Sequence, residues 1–252
     1  MRTMTTKGTG GLSLALLLTL GGCGAGGAGG PAGSVQQAEK DKGGKHDGVR
    51  IVPIDEDYHD IDYATAAARW QQWAFGAPSA VSPQTDSTGA NCAQGQAGPI
   101  WWLAGSFGGS TTRSCNIPAD KAVFLAILNE FWITFLTDPP QTIKEKRQIL
   151  AQFMDGATIA IEIDGKSVKK ASSYRVASDV FDETFPLDNV LGLDTSICAQ
   201  GKDGLLHCSP DFNDGYYLLL EPLPAGDHTI HATGTTADGS FSLELTFNLT
   251  VG

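Results

Sequence analysis

The stretch Phe241-Ser242-Leu243-Glu244-Leu245-Thr246-Phe247-Asn248-Leu249-Thr250-Val251 decides the fold. Apolar and polar side chains alternate along it without a break. That is the two-residue period of a strand with one face buried and one in water. Upstream lies Ala237-Asp238-Gly239, a turn of the kind that closes hairpins, and before it Thr229–Thr235 reads as the partner strand. Further out, Tyr216–Leu223 is a strand ended by prolines, and Thr158–Ile163 runs through Asp164-Gly165 into Lys166–Val168, a second hairpin. Ile100–Ala104, Arg113–Ile117, Lys121–Phe135 and Tyr174–Phe181 complete the set. Short strands with Gly and Pro turns predict a mainly β protein: an antiparallel β-sandwich, jelly-roll or Ig-like, with two inserted or flanking α-helices.

The first helix is expected over Ile61–Phe75, where Tyr63, Ala67, Trp70 and Ala74 make one apolar stripe, Asp60 or Asp62 can cap the start and Gly76 ends it. The second is expected to start at Asp138-Pro139-Pro140-Gln141, with Asp138 as cap and Gln141 completing a capping box. Its face is Ile143, Arg147, Leu150 and Met154, and Gly156 marks its end.

The amino terminus sets the compartment. Arg2 and Lys7 precede an apolar run, Leu12–Leu20, too short to span a bilayer. Residues 1–22 therefore read as a signal peptide. Leu20-Gly21-Gly22-Cys23 resembles a lipobox, which makes Cys23 the lipidated first residue after cleavage. Gly24 in place of Asp points to the outer membrane or cell surface of the envelope. From Cys23 to Gly48 the chain holds hardly an apolar side chain and reads as a flexible tether. Residues 49–252 remain as a single domain, ample for a core.

The formal charge of the chain is −11, and loss of Arg2 and Lys7 takes it to −13 (−11 minus 2). Such acidity argues against nucleic acid as a partner. Besides Cys23 there are Cys92, Cys115, Cys198 and Cys208, an even set that in an exported protein reads as two disulfides. Three pairings are open. Cys92–Cys115 and Cys198–Cys208 are favoured because each pair flanks a loop-rich stretch.

Standard catalytic signatures are missing: no Walker loop, no dinucleotide fingerprint, no H-E-x-x-H. No cofactor or metal is expected, and the catalytic residues stay unknown. Ala104–Gly109 is rich in glycine but lacks the spacing of a nucleophile elbow. His228 and His231, three apart on a strand, face opposite ways and make a poor metal site. Glu130 is the anomaly, a carboxylate within the apolar run Phe124–Phe135. Burying it is costly unless it is paired, so Asn129-Glu130 marks a bend, a buried network with Arg113 or Arg175, or a cleft. Five tryptophans could build a sugar platform, although most are expected in the core. Adjacent Trp101 and Trp102 should point to opposite faces, one less buried than the other unless a helix, with the one bearing Trp70 and Trp73 the obvious candidate, covers it. Asn129, Glu130, Trp101, Trp102 and Arg113 are the candidate ligand-binding residues.

Two groups of motifs carry a resemblance. One is Trp70-Gln-Gln-Trp73, Asp86-Ser-Thr-Gly89-Ala-Asn-Cys92, Gln96-Ala-Gly-Pro99-Ile-Trp101-Trp102-Leu-Ala-Gly105 and Arg113-Ser-Cys115-Asn-Ile117-Pro118; the other runs from Asp214 to His231. They resemble a group of secreted bacterial proteins and lipoproteins without an established function. The resemblance implies a family label over residues 60–252 and fits a Cys92–Cys115 bridge. It implies no activity.

The expectation is a surface-anchored, non-catalytic module. Its partners would be the membrane, through the lipid, and a glycan or another envelope component. The alternative is a secreted glycoside hydrolase using Glu130 and a second acid, with Glu162, Asp182 or Glu221 as candidates.

Overall fold

A computed structural model describes residues 45–46 and 48–252, with side chains from residue 48 onward. The expected signal peptide, Cys23 and most of the expected tether lie outside the described residues. In chain order the elements are β1 (Lys45–His46), β2 (Val49–Arg50), α1 (Tyr63–Phe75), β3 (Ile100–Leu103), β4 (Gly109–Ile117), β5 (Ala122–Trp132), α2 (Ile143–Met154), β6 (Thr158–Ile163), β7 (Lys166–Ser167), β8 (Arg175–Ala177), β9 (Phe181–Phe185), β10 (Ala199–Gln200), β11 (Leu206–Leu220), β12 (Gly226–Thr235) and β13 (Ser242–Val251). The β1–β2 pair turns at Gly48, whose φ of 92° suits glycine, so regular structure begins before the expected domain start at residue 49.

The protein is mainly β, with two mixed sheets and two helices. One sheet has the order β10-β11-β5-β3, with β8 and β9 also pairing with β11; the other is β4-β13-β12-β6-β7. The expected hairpins β12–β13 and β6–β7 are present and antiparallel. The expectation of an antiparallel sandwich needs correction in part, because β3 pairs with β5 and β4 with β13 in parallel. The cause lies at residues 104–108. There the chain leaves the first sheet instead of turning back, and it enters the second beside the terminal strand.

β5 explains how the layers stack. Val123–Leu128 are all buried, the pattern of a strand covered on both faces. On one face lies α1, with Tyr63 against Phe124 (6.2 Å) and Trp70 against Tyr217 of β11 (6.3 Å). On the other lies β12, where a Cβ added at Gly234 would stand 2.8 Å from Leu128 Cβ. The α1 start is as expected: Asp62 accepts from Thr65 N at 2.7 Å, and Gly76 closes the helix.

The α2 start differs. Thr142 caps it, and Glu145 returns the hydrogen bond to complete the box. Asp138 instead forms a buried pair with Lys146 at 2.8 Å. Two prolines hold Asp138 back in an extended turn, and the next threonine takes the cap.

β11 is longer than Tyr216–Leu223, reaching back to Leu206 through Asp211-Phe212-Asn213-Asp214-Gly215. Each polar side chain here finds a partner inside the protein. Asn213 Nδ2 donates to Ala67 O and Gln71 Oε1, Tyr217 Oη donates to Asn213 Oδ1, and Asp214 takes both arms of Arg175. The stretch expected as one strand over Tyr174–Phe181 breaks into β8 and β9. The disulfides are Cys92–Cys115 and Cys198–Cys208, the favoured pairing.

Candidate ligand-binding site

β3 pairs with β5 only over Ala122–Leu125. Beyond that point β5 has no neighbour on the β3 side among the described strands, and its edge is free from Ala126 to Trp132. A cavity of about 460 Å³ wraps this edge, a size usual for small-molecule sites. Register fixes which side chains see which flank. Directly paired residues on antiparallel strands share a face. Glu130 therefore points with Asp214 toward α2 and the second sheet, while Asn129 and Phe131 point toward α1, where Phe131 packs on Phe75 at 5.0 Å.

The wall is mostly apolar. Trp70 and Phe75 come from α1, Phe153 and Met154 from the end of α2, Leu191 from the loop after β9, and Phe241 and Leu243 from the start of the last hairpin arm. Phe107 stands at the glycine-rich corner, 45% exposed and stacked on Phe75 at 6.4 Å. A few polar groups interrupt this wall. Gln84, Ser106, Asn129, Thr236 and Ser240 contribute, and Gln84 Oε1 is buried without a hydrogen-bond partner. Among the described residues, Glu130 is the only ionisable one of the lining. Burial pushes its carboxyl up to about 7, against the pull of a hydrogen bond from the Phe131 backbone.

Of the expected site residues, Asn129 and Glu130 are on the cavity, and Trp101, Trp102 and Arg113 are not. Both tryptophans are buried, at 8% and 7% exposure, in the core where most of the five were expected. Trp102 packs edge-on against Phe124 at 5.5 Å, and its backbone N–H donates to Gln96 of the covering loop. No open aromatic platform forms from this pair.

Arg113 is not the partner of Glu130. Its Nε donates to Asp86 O (2.6 Å) and its Nη1 to Ala104 O (2.7 Å), and it stands 5.8 Å over the Phe247 ring. It fastens the loop before β3 to the corner after it, and burial lowers its pKa to about 10. Arg175 is also committed elsewhere, to Asp214 and Asp155. Among the described residues no lysine or arginine pairs with Glu130.

The second acids weighed for hydrolysis lie away from the cavity. Glu162 accepts from Ser167 on the β6–β7 hairpin, Asp182 from Ser209, and Glu221 binds Arg50. His228 meets Asp164 and His231 meets Glu244, each 2.8–2.9 Å away. No group of three or more His, Cys, Asp or Glu among the described residues could hold a metal ion. No helix among them is long and apolar enough to cross a membrane.

Reading the sequence missed Phe107, Phe153, Leu191 and Phe241 as site residues. An aromatic among the glycines of Ala104–Gly109 was the one signal that could have found Phe107.

A comparison with protein-family models gives no match, and a comparison with curated proteins gives none either. Among solved structures, one described as "Structure of PbICP-C in complex with falcipain-2" is similar at 8% identity and a TM-score of 0.24, covering 63% of this chain and 95% of that one. At that level the likeness carries no argument about fold or function.

Proposed function

We propose that the chain is a surface-anchored bacterial lipoprotein whose β-rich domain is a non-catalytic binding module, with the ligand seated in the cavity around the free edge of β5. In this reading residues 1–22 direct export and Cys23 carries the lipid. The segment up to about residue 48 is the tether, and the two sheets form a jelly-roll or Ig-like sandwich. The place of action is the outer membrane or cell surface. The anchored half rests on the lipobox-like Leu20–Cys23 and on the two disulfides, which suit an oxidising compartment.

One observation carries the binding half: an open cavity of about 460 Å³ with a mostly apolar wall and a single carboxyl. A glycan site asks for many hydrogen-bonding groups and an exposed aromatic face. This wall suits an apolar envelope component better. A hydrolase would need a second acid beside Glu130, and the lining residues include none.

The test is saturable binding of the apolar fluorophore N-phenyl-1-naphthylamine. One site is expected, and Ser106→Trp, placed in the lining, should block it without lowering the melting temperature. Binding unchanged in that variant, or no saturable binding at all, overturns the cavity reading. For the anchor, Cys23→Ser should move the protein from the membrane to the soluble fraction; a variant that stays with the membrane overturns that part.

A further inference from the structure

The cavity pairs an aromatic wall with one acid and no base. Trp70, Phe75, Phe131, Phe153 and Phe241 surround a lining whose only ionisable side chain is Glu130. A carboxylate moved out of water is costly unless a cation or several donors meet it. Within the fold the nearby cations have other tasks. Arg175 bridges Asp214, the residue opposite Glu130 on β11, and Asp155 at the end of α2. Arg147 of α2 lies 4.7 Å over the Phe212 ring and donates to Ser178 O. Lys146 holds Asp138.

The remaining charged neighbours are acids. Asp214 faces the same way as Glu130, and Asp155 follows α2. Asp238, in the β12–β13 turn, accepts from Thr236 and Ser240, two residues of the lining. Neither the α1 residues nor the 105–107 corner of the lining adds a titratable group. When Glu130 is ionised, the site is therefore short of one positive charge. Aromatic faces add to its preference, since their quadrupoles attract cations more strongly where water is excluded.

We propose that the cavity takes a lipophilic amine, its apolar body against the aromatic wall and its ammonium group at Glu130. This rests on the reading of the cavity as the ligand site, and it narrows the ligand class. An amine of this type stays protonated well above neutrality. Glu130 is the group that titrates, so binding of the ammonium to the ionised carboxylate releases a proton whenever Glu130 begins neutral. Affinity then rises with pH as Glu130 loses its proton. A fatty acid behaves in the opposite way, because its carboxylate is repelled once Glu130 ionises. An alcohol of the same length is nearly indifferent to pH.

The experiment is calorimetric titration of the full chain carrying Cys23→Ser with octylammonium, 1-octanol and octanoate, at pH 6 and pH 8. Octylammonium should bind one to one, about tenfold or more tighter than the other two at pH 8, with a smaller advantage at pH 6. Glu130→Gln should remove that advantage together with its growth between pH 6 and pH 8. The pH comparison on unaltered Glu130 decides the matter even if the variant folds poorly. Octanol or octanoate matching octylammonium overturns the amine proposal and leaves the cavity as a site. So does octylammonium affinity that falls with rising pH. Absence of binding by all three overturns the amine proposal and the cavity reading together.

Discussion

Glu183 of β9 and Asp211 of β11 meet carboxyl to carboxyl, both with 0% of their surface exposed. Gln71 of α1 donates to Glu183 Oε2 at 2.6 Å, and Thr134 N donates to Asp211 Oδ1 at 2.7 Å. Glu183 Oε1 and Asp211 Oδ2 are left without a donor from any other described residue. One proton held between the two carboxyls would satisfy both atoms. Burial first, and the neighbouring acid second, push Glu183 well above the usual carboxylate range; burial takes Asp211 to about 7.

This pair sets a pH dependence of stability. The folded state holds a proton that the unfolded chain releases near pH 4. Its contribution is whole below that range and is lost as pH rises toward about 7. Glu183→Gln replaces the shared proton with a fixed N–H donor. Melting temperatures between pH 4.5 and pH 7.5 should fall less steeply in the variant, with a gap on the order of 1–2 kcal/mol at the upper end. Asp238, held down to about 2 by the Ser240 N–H, is the same in both proteins and cancels. Parallel curves would show that the pair shares no proton.

Lys146 and Asp138 form a buried ion pair, with side chains 6% and 8% exposed, and Lys146 also lies 5.0 Å over the Trp132 ring. Asp138→Ala leaves a buried ammonium without its partner and should cost about 3 kcal/mol in denaturant unfolding. Lys146→Met added to it should restore most of the loss, because the thioether packs on Trp132. A double variant no better than the single one would mean that the cost is in the turn, not the charge.

Both disulfides should be found in the purified, unreduced protein. Peptide mapping without reduction is expected to give Cys92 joined to Cys115 and Cys198 joined to Cys208. Cys115→Ser should lower stability by about 2–4 kcal/mol, as expected for a bridge of this span. Any crossed pairing contradicts the fold, since Cys115 lies on β4 of the second sheet and Cys208 on β11 of the first.

At Gly234 β12 packs close against β5 of the other sheet. Its missing side chain leaves room for Leu128 Cβ, which would stand 2.8 Å from an added Cβ. Gly234→Val should cost about 1–3 kcal/mol through forced separation of β12 from β5. Leu128 also lines the cavity, so the same change should weaken binding of an apolar probe. A variant as stable as the parent would rule out close packing of the sheets at this point.

What could be read in advance follows the range of the physics. The alternation over Phe241–Val251, the stripe on α1 and its Asp62 cap are local, and each is present. Cysteine pairing was legible because each bridge closes a short loop. Glu130 stood out because one acid in an apolar run demands an account, and it does sit on the cavity. Its surroundings were not legible, since Trp70, Phe107, Leu191 and Phe241 come from four separated segments. The polar run Asp211–Gly215 fell outside the expected strand because its partners, Gln71 and Arg175, are far away in sequence. Parallel pairing of β4 with β13 depends on where the chain crosses between sheets, and no local pattern records that.

The central claim is that a ligand enters the cavity around β5. Met154 reports on it directly: the chain has three methionines, Met1 and Met4 near the amino terminus and Met154 on the cavity wall, 1% exposed. With 13C-methyl methionine labelling, the Met154 signal is assigned by its loss in Met154→Leu. Titration with octylammonium should shift that signal saturably, with the same midpoint as the calorimetric binding curve. A Met154 signal that stays in place while the ligand binds would put the ligand elsewhere and contradict the account.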